Sequence, residues 1–169
     1  VMGGSTDPVG LGYVQSLGRP GGNFTGLSRQ GVEITGKRLE LLKELVPTAA
    51  PVGILWDDDS RLEWQVAEAA ARERGWTLLS LKIREPDAEL EGAFKKATDA
   101  RAGGLVVVAA GILFTRARRV AELAVRSRLP AIYELRRYVD AGGLMSYSPD
   151  LSDIWRRAAM IRDLSRRPG

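Results

Sequence analysis

The chain has 169 residues, 44% of them hydrophobic, and 25 basic against 21 acidic side chains give it a formal charge of +4. That length and apolar content suit about one domain with a real core and exclude a disordered chain. Cysteine and histidine are both absent, which removes thiol nucleophiles, disulfides, Cys/His zinc sites and any histidine-based triad.

The arginines that dominate the positive charge include Arg116, Arg118, Arg119, Arg136, Arg137, Arg156, Arg157, Arg166 and Arg167. Most alternate with Ala, Val and Leu in helical patterns, so they read as solvated helix faces. Nucleic-acid binders concentrate basic charge beside aromatic or groove-reading elements, and neither DNA nor RNA binding is expected here. No apolar run approaches the length of about 18 residues that a membrane span requires.

In chain order, Asp7-Pro8 predicts a helix start, with Val9, Leu11, Tyr13, Val14 and Leu17 as its apolar positions and the segment GRPGGN (18–23) as its stop. Phe24 to Leu27 reads as a brief strand. From Glu33 to Leu45, Ile34, Leu39, Leu42 and Leu45 recur at helical spacing and Pro47 marks the end. Five short apolar runs then alternate with helical stretches: Val52 to Trp56, Thr77 to Ile83, Leu105 to Ala110, Ala131 to Tyr133 and Leu144 to Tyr147. The helix after the first run is expected to bury Leu62, Val66, Ala69 and Ala70. The next begins at Pro86-Asp87 and presents Leu90, Phe94 and Ala97. Val120, Leu123 and Ala124 line a third, Glu134 to Val139 form a short polar one, and Leu151, Ile154, Trp155, Ala158 and Ile161 mark the last, capped by Asp150.

Continuous apolar strands alternating with amphipathic helices imply an α/β fold, a parallel sheet covered on both faces. Right-handed crossovers favour a doubly wound, mostly parallel five-stranded sheet of flavodoxin-like order, whose ligands lie beyond the carboxyl ends of the strands. Three places at those ends carry usable chemistry. Asp57, Asp58, Asp59 and Ser60 follow the first run, and clustered carboxylates suit a hard cation. A solvated loop whose Ser60 caps the next helix is the plainer alternative. Gly111 ends the third run. Tyr133-Glu134 and Tyr147-Ser148 offer aromatic rings with hydrogen-bonding groups, or simply cover the core. The run ILWDDDS is also similar to the acidic pocket of a receiver domain, but AAGI and SYSP stand where that pattern needs an aspartate and a lysine. No nucleophile with a neighbouring base emerges, so catalysis is not expected, and no cofactor or resident metal is called for.

The segments GGSTDPVGLGYVQSLGRPGGNFTGLS, GKRLELLKELVP and RLPAIYELRRYVDAGGLMSYSPDL together resemble the ABC-transporter substrate-binding proteins of the periplasmic binding protein type I fold. The likeness extends to the branch that includes tryptophan and other aromatic amino acid uptake proteins. It implies two α/β lobes that close on a small solute and present it to a membrane permease and its ATPase. Residues 1–26 would then be the end of a first lobe and a hinge crossing, and residues 27–169 a second, ligand-binding lobe that stops before the return crossing. The remainder of the first lobe and a signal peptide for export to the periplasm would lie outside this chain. A single lobe would bind solute poorly, and the surface left by its missing partner would favour self-association. Matched to the family's motifs, Ser5, Thr6 and Asp7 would face the ligand from the first-lobe side. Asp57, Asp58, Ser60, Gly111, Tyr133, Glu134 and Tyr147 would face it from the second, with three carboxylates where the family has a mostly neutral Asn-Pro turn. The effector-sensing domain of a transcription regulator shares this fold and is the alternative, with a receiver-like magnesium-binding domain behind it.

Overall fold

A computed structural model describes residues 2–5, 9, 12–23, 26–28, 31–108 and 111–149, together with positions 153, 156 and 159. The chain divides into two compact units, Val1–Val32 with Ser148–Gly169, and Glu33–Tyr147.

In the first unit, β1 (Met2–Ser5) and β2 (Gly26–Ser28) pair in parallel, with an irregularity in register between Gly3 and Ser5. The helix expected from Asp7 to Leu17 is not present among its described residues. Val9 and residues 12–18 run through turns and bends, because Gly12 adopts φ +72°, a left-handed conformation that ends a right-handed helix. Local bonds stabilise this path instead: the Gly12 N–H donates to the Val9 carbonyl (2.9 Å), and the Arg19 N–H donates to the Ser16 hydroxyl (3.0 Å). Tyr13 and Leu17, expected on an apolar helix face, are exposed, and only Val14 among the described members of that set is buried.

The second unit is a parallel five-stranded sheet. Its strands are β3 (Val52–Trp56), β4 (Leu78–Lys82), β5 (Gly104–Val107), β6 (Ala131–Tyr133) and β7 (Met145–Ser146), in the order β4-β3-β5-β6-β7. All four pairings are parallel. This is the doubly wound, flavodoxin-like order expected from the sequence, since the chain steps outward once to β4 and then returns across β3 to build the other side. Among the described residues six α-helices accompany it: α1 (Gly31–Leu45), α2 (Arg61–Glu73), α3 (Pro86–Asp99), α4 (Gly111–Phe114), α5 (Ala117–Arg126) and α6 (Arg136–Asp140).

Side chains alternate along each strand, so each strand feeds two cores. Val52, Ile54 and Trp56 join Val106, Val108 and Ile132 in a cluster with Leu39 and Leu42 of α1 and Ala67 and Ala71 of α2. Against the other face, α3 buries Leu90, Ala93, Phe94 and Ala97, and α5 buries Val120, Ala121, Leu123 and Ala124. The face of α2 differs from the expected one. Glu63, Ala67 and Ala71 are buried, whereas Leu62 and Ala69 are exposed, because the turn that starts the helix is anchored by Ser60 and rotates the stripe by one residue. Every described residue expected in the last helix lies between apolar positions. Asp153, Arg156 and Ala159 are helical, Arg156 Nη1 meets Asp153 Oδ1 at 3.2 Å, and Asp150 and the apolar stripe lie outside the described residues.

Candidate functional site

Parallel strands bring their carboxyl ends to one rim, and the strand order gives that rim a single special position. Between β3 and β5 the chain departs in opposite directions, which opens a crevice between the two loops. A pocket of about 210 Å³ lies here, lined by Asp57, Asp58 and Asp59 after β3, Ile83 and Arg84 after β4, and Ile112 after β5.

The acidic loop is shaped by its own hydrogen bonds. Asp57 caps a 3-10 turn over Asp58–Ser60: its Oδ1 accepts from the Ser60 N–H at 2.9 Å and from the Ser60 hydroxyl at 2.6 Å. Ser60 Oγ in turn accepts from the Asp57 N–H at 2.9 Å, completing a reciprocal capping box. Ser60 thus closes the turn that Asp57 caps, and its side chain makes no capping hydrogen bond to α2. Asp57 and Ser60 are buried, while Asp58 and Asp59 are exposed.

Lys82 and Arg84 complete the loop's charge. Lys82 Nζ pairs with Asp58, Arg84 Nε lies 3.5 Å from its other oxygen, and Lys82 also sits 5.1 Å from the centre of the Trp56 ring. The hydrogen bond from Lys82 holds the Asp58 carboxyl below its ordinary 3.8, against a smaller opposing effect of burial. Trp56 stacks on Trp64 with ring centres 5.5 Å apart and donates its indole N–H to Ser80 Oγ at 2.8 Å. Sequence reasoning did not single out Lys82, Arg84 or Ile112. The run LKIRE held the signal, because the expected strand order sets its carboxyl end directly beside the three aspartates.

The other expected residues divide by burial. Tyr133 is fully buried, stacked on Tyr138 with ring centres 4.9 Å apart, and its hydroxyl has no hydrogen-bond partner. Burial pushes its phenol up to about 12. Tyr138 is also raised, first by burial and then by the charge of Glu134, with smaller contributions from Tyr133 and Asp57. Glu134 is buried just beyond β6. Gly111 is the exposed first residue of α4, and a Cβ there would meet nothing within 4 Å. Tyr147 is 43% exposed. Its N–H continues the ladder to the Tyr133 carbonyl (3.0 Å), and its carbonyl accepts from Nε of Arg38 at 2.8 Å. Arg38, 1% exposed on α1, is a further residue the sequence did not flag. Ser5 ends β1 opposite Ser28, and Thr6 and Asp7 lie outside the described residues. Among the described residues no group of three or more acidic side chains is arranged to hold a metal ion.

The sequence profile of the family described as ABC transporter substrate binding protein matches residues 1–163. The chain belongs to this family. Two solved structures superpose with TM-score 0.83. One, at 23% identity over 98% of this chain and 57% of its own, is an ABC domain in complex with L-Trp from Streptococcus pneumonia. The other, at 21% identity over 96% and 55%, is a conserved domain protein from Vibrio cholerae. A substrate binding protein with adhesive properties from Clostridium difficile, in its ligand-free, open structure, matches with TM-score 0.66 at 18% identity over 98% and 57%. At these identities the likeness shows the fold. A tyrosine-binding protein from Clostridioides difficile (strain R20291) is 42% identical over 57 residues, 34% of this chain and 16% of that protein. The chain spans little more than half the length of the solved relatives and a smaller share of the tyrosine-binding protein.

Proposed function

We propose that the protein containing this chain is the solute-binding component of an ABC transporter, capturing a small solute and delivering it to the membrane permease and its ATPase. The observation that carries this reading is the pocket at the switch point between β3 and β5, where a doubly wound sheet binds its ligand. Asp57 and Asp58 line it, and Ser60 and Gly111 are their chain neighbours in the loops after β3 and β5. Tyr133, Glu134 and Tyr147 extend the same rim across β6 and β7. Family membership supports the transport role, and a binding protein needs ligand contacts that favour one conformation over another, not a catalytic group. The role is therefore non-catalytic, and its place is outside the cytoplasmic membrane, where a solute is captured before uptake. Among the described residues no helix is long and apolar enough to cross a membrane.

The solute class we infer is the amino acids, aromatic ones foremost. The relatives named for tyrosine binding and solved with L-Trp support that choice, as does a rim that combines charged groups with apolar walls. A thermal-shift screen of the full-length protein against the twenty amino acids tests it. A bound solute at a hundredfold excess over its Kd stabilises by about 2.7 kcal/mol, so L-tyrosine or L-tryptophan should raise the midpoint by several degrees. No shift with any amino acid at millimolar concentration would remove the amino acid assignment.

A further inference from the structure

The consecutive carboxylates Asp57, Asp58 and Asp59 occupy three different environments. Asp58 is neutralised by Lys82 and Arg84. Asp59 is exposed, and water's high dielectric blunts what a single solvated charge can select. Asp57 is 3% exposed, and its two oxygens differ: Oδ1 takes both bonds from Ser60, whereas Oδ2 is sealed from water and has no hydrogen-bond partner. The bonds to Oδ1 also fix the torsions of the side chain, so Oδ2 points in one direction. With Lys82 and Arg84 committed to Asp58, Asp57 has no ion-pair partner among the described residues.

A buried carboxylate oxygen without donor or counter-charge is costly to maintain, and the cost is recovered when a ligand supplies both. Asp57 borders the switch-point pocket, with Ile83 and Ile112 as apolar walls beside it. We propose that Asp57 is the specificity-determining residue of this pocket and selects solutes that carry a primary ammonium group, which donates to Oδ2. A hydroxyl or amide donor fills a lone pair but leaves the charge uncompensated. A quaternary ammonium compensates the charge but has no N–H to donate. A primary ammonium does both. Because Oδ2 is shielded, the pocket wall must yield as the ammonium enters, which couples recognition to a local rearrangement. This inference rests on the solute-binding reading and deepens it by naming the group that is recognised.

The test compares the full-length protein with its Asp57→Asn variant by calorimetry. The probes are L-tyrosine and L-tryptophan, and the same molecules without the ammonium, 3-(4-hydroxyphenyl)propionate and indole-3-propionate. Removing one partner of a buried charge pair weakens binding by about 30-fold or more. Asp57→Asn should therefore lose that factor for the amino acids while its affinity for the desamino acids stays within a few fold of the wild type. The asparagine oxygen still accepts from the Ser60 N–H and hydroxyl, so the unfolding midpoint should stay near that of the wild type. Asp57→Ser, another turn-capping side chain, repeats the comparison without an amide. Wild-type affinity for the amino acids in both variants, or desamino acids that bind the wild type as tightly as the amino acids, overturns the Asp57 assignment alone. If the wild type binds none of the four probes, the solute reading fails and the assignment with it.

Discussion

Replacing Gly143 with alanine tests how tightly the rim is built around Tyr133. A Cβ at residue 143 would stand 2.5 Å from Tyr133 Cε2, 3.1 Å from Cδ2 and 2.7 Å from the Tyr138 carbonyl oxygen. Carbon atoms in good contact lie about 3.5–4.0 Å apart, so the ring would have to retreat by roughly 1 Å. It has little room to do so: Tyr133 is fully buried, and the Tyr138 ring lies parallel to it within 9°. The alternative is for residue 143 to move, which stretches the 2.8 Å bond from its N–H to the Tyr138 carbonyl. Overpacking costs about 1–3 kcal/mol and a weakened hydrogen bond about 1 kcal/mol, giving an expected destabilisation of about 2–4 kcal/mol. Equilibrium urea unfolding followed by far-UV circular dichroism measures it, with the midpoint shifting at constant slope. The double variant with Tyr133→Ala removes the ring that the new methyl meets, and the two changes should couple by about 1 kcal/mol or more. A loss under about 0.5 kcal/mol for Gly143→Ala, or additive behaviour in the double variant, would show that the ring is not wedged as described.

Two further outcomes follow from backbone and charge. Arg101 and Arg128 adopt φ +54° and +52° just after α3 and α5, so glycine at either position should raise stability by about 0.5–1 kcal/mol in the same unfolding assay, whereas Arg→Ala should not. The pH dependence has two limbs of opposite sign. Asp58, paired with Lys82, and Asp87, paired with Arg116, are held below their ordinary 3.8. Their contribution is present above that value and lost as pH falls through the lowered one, so Asp58→Asn should flatten the acid limb below about pH 4. Tyr133, raised from 10.0 to about 12, contributes fully below pH 10 and loses that contribution as pH rises toward 12. Tyr133→Phe should flatten the alkaline limb there, and an unchanged limb would mean that its burial is not what opposes ionisation.

The sequence determined the sheet and its rim. Apolar runs bounded by glycine and proline mark β3, β4, β6 and β7 to within one residue and β5 to within three, because an inner parallel strand must be apolar on both faces, and the number and spacing of those runs left the doubly wound order as the natural connection. Since every such strand ends at the same rim, Asp57, Gly111, Tyr133 and Tyr147 were assigned there from their places in the chain. The tertiary structure decided what each group does. Whether an aspartate is a solvated charge, one half of an ion pair or a sealed acceptor depends on neighbours supplied by other strands, and three identical residues in a row carry no local signal to distinguish them. The same holds for α2, where the buried stripe follows the Ser60 anchor and takes in Glu63 in place of Leu62, and for residues 12–17, where Gly12's left-handed backbone overrides a helical apolar spacing. Periodicity reports the average environment of an element, whereas hydrogen-bond partners and burial at a single atom are fixed only when distant segments pack.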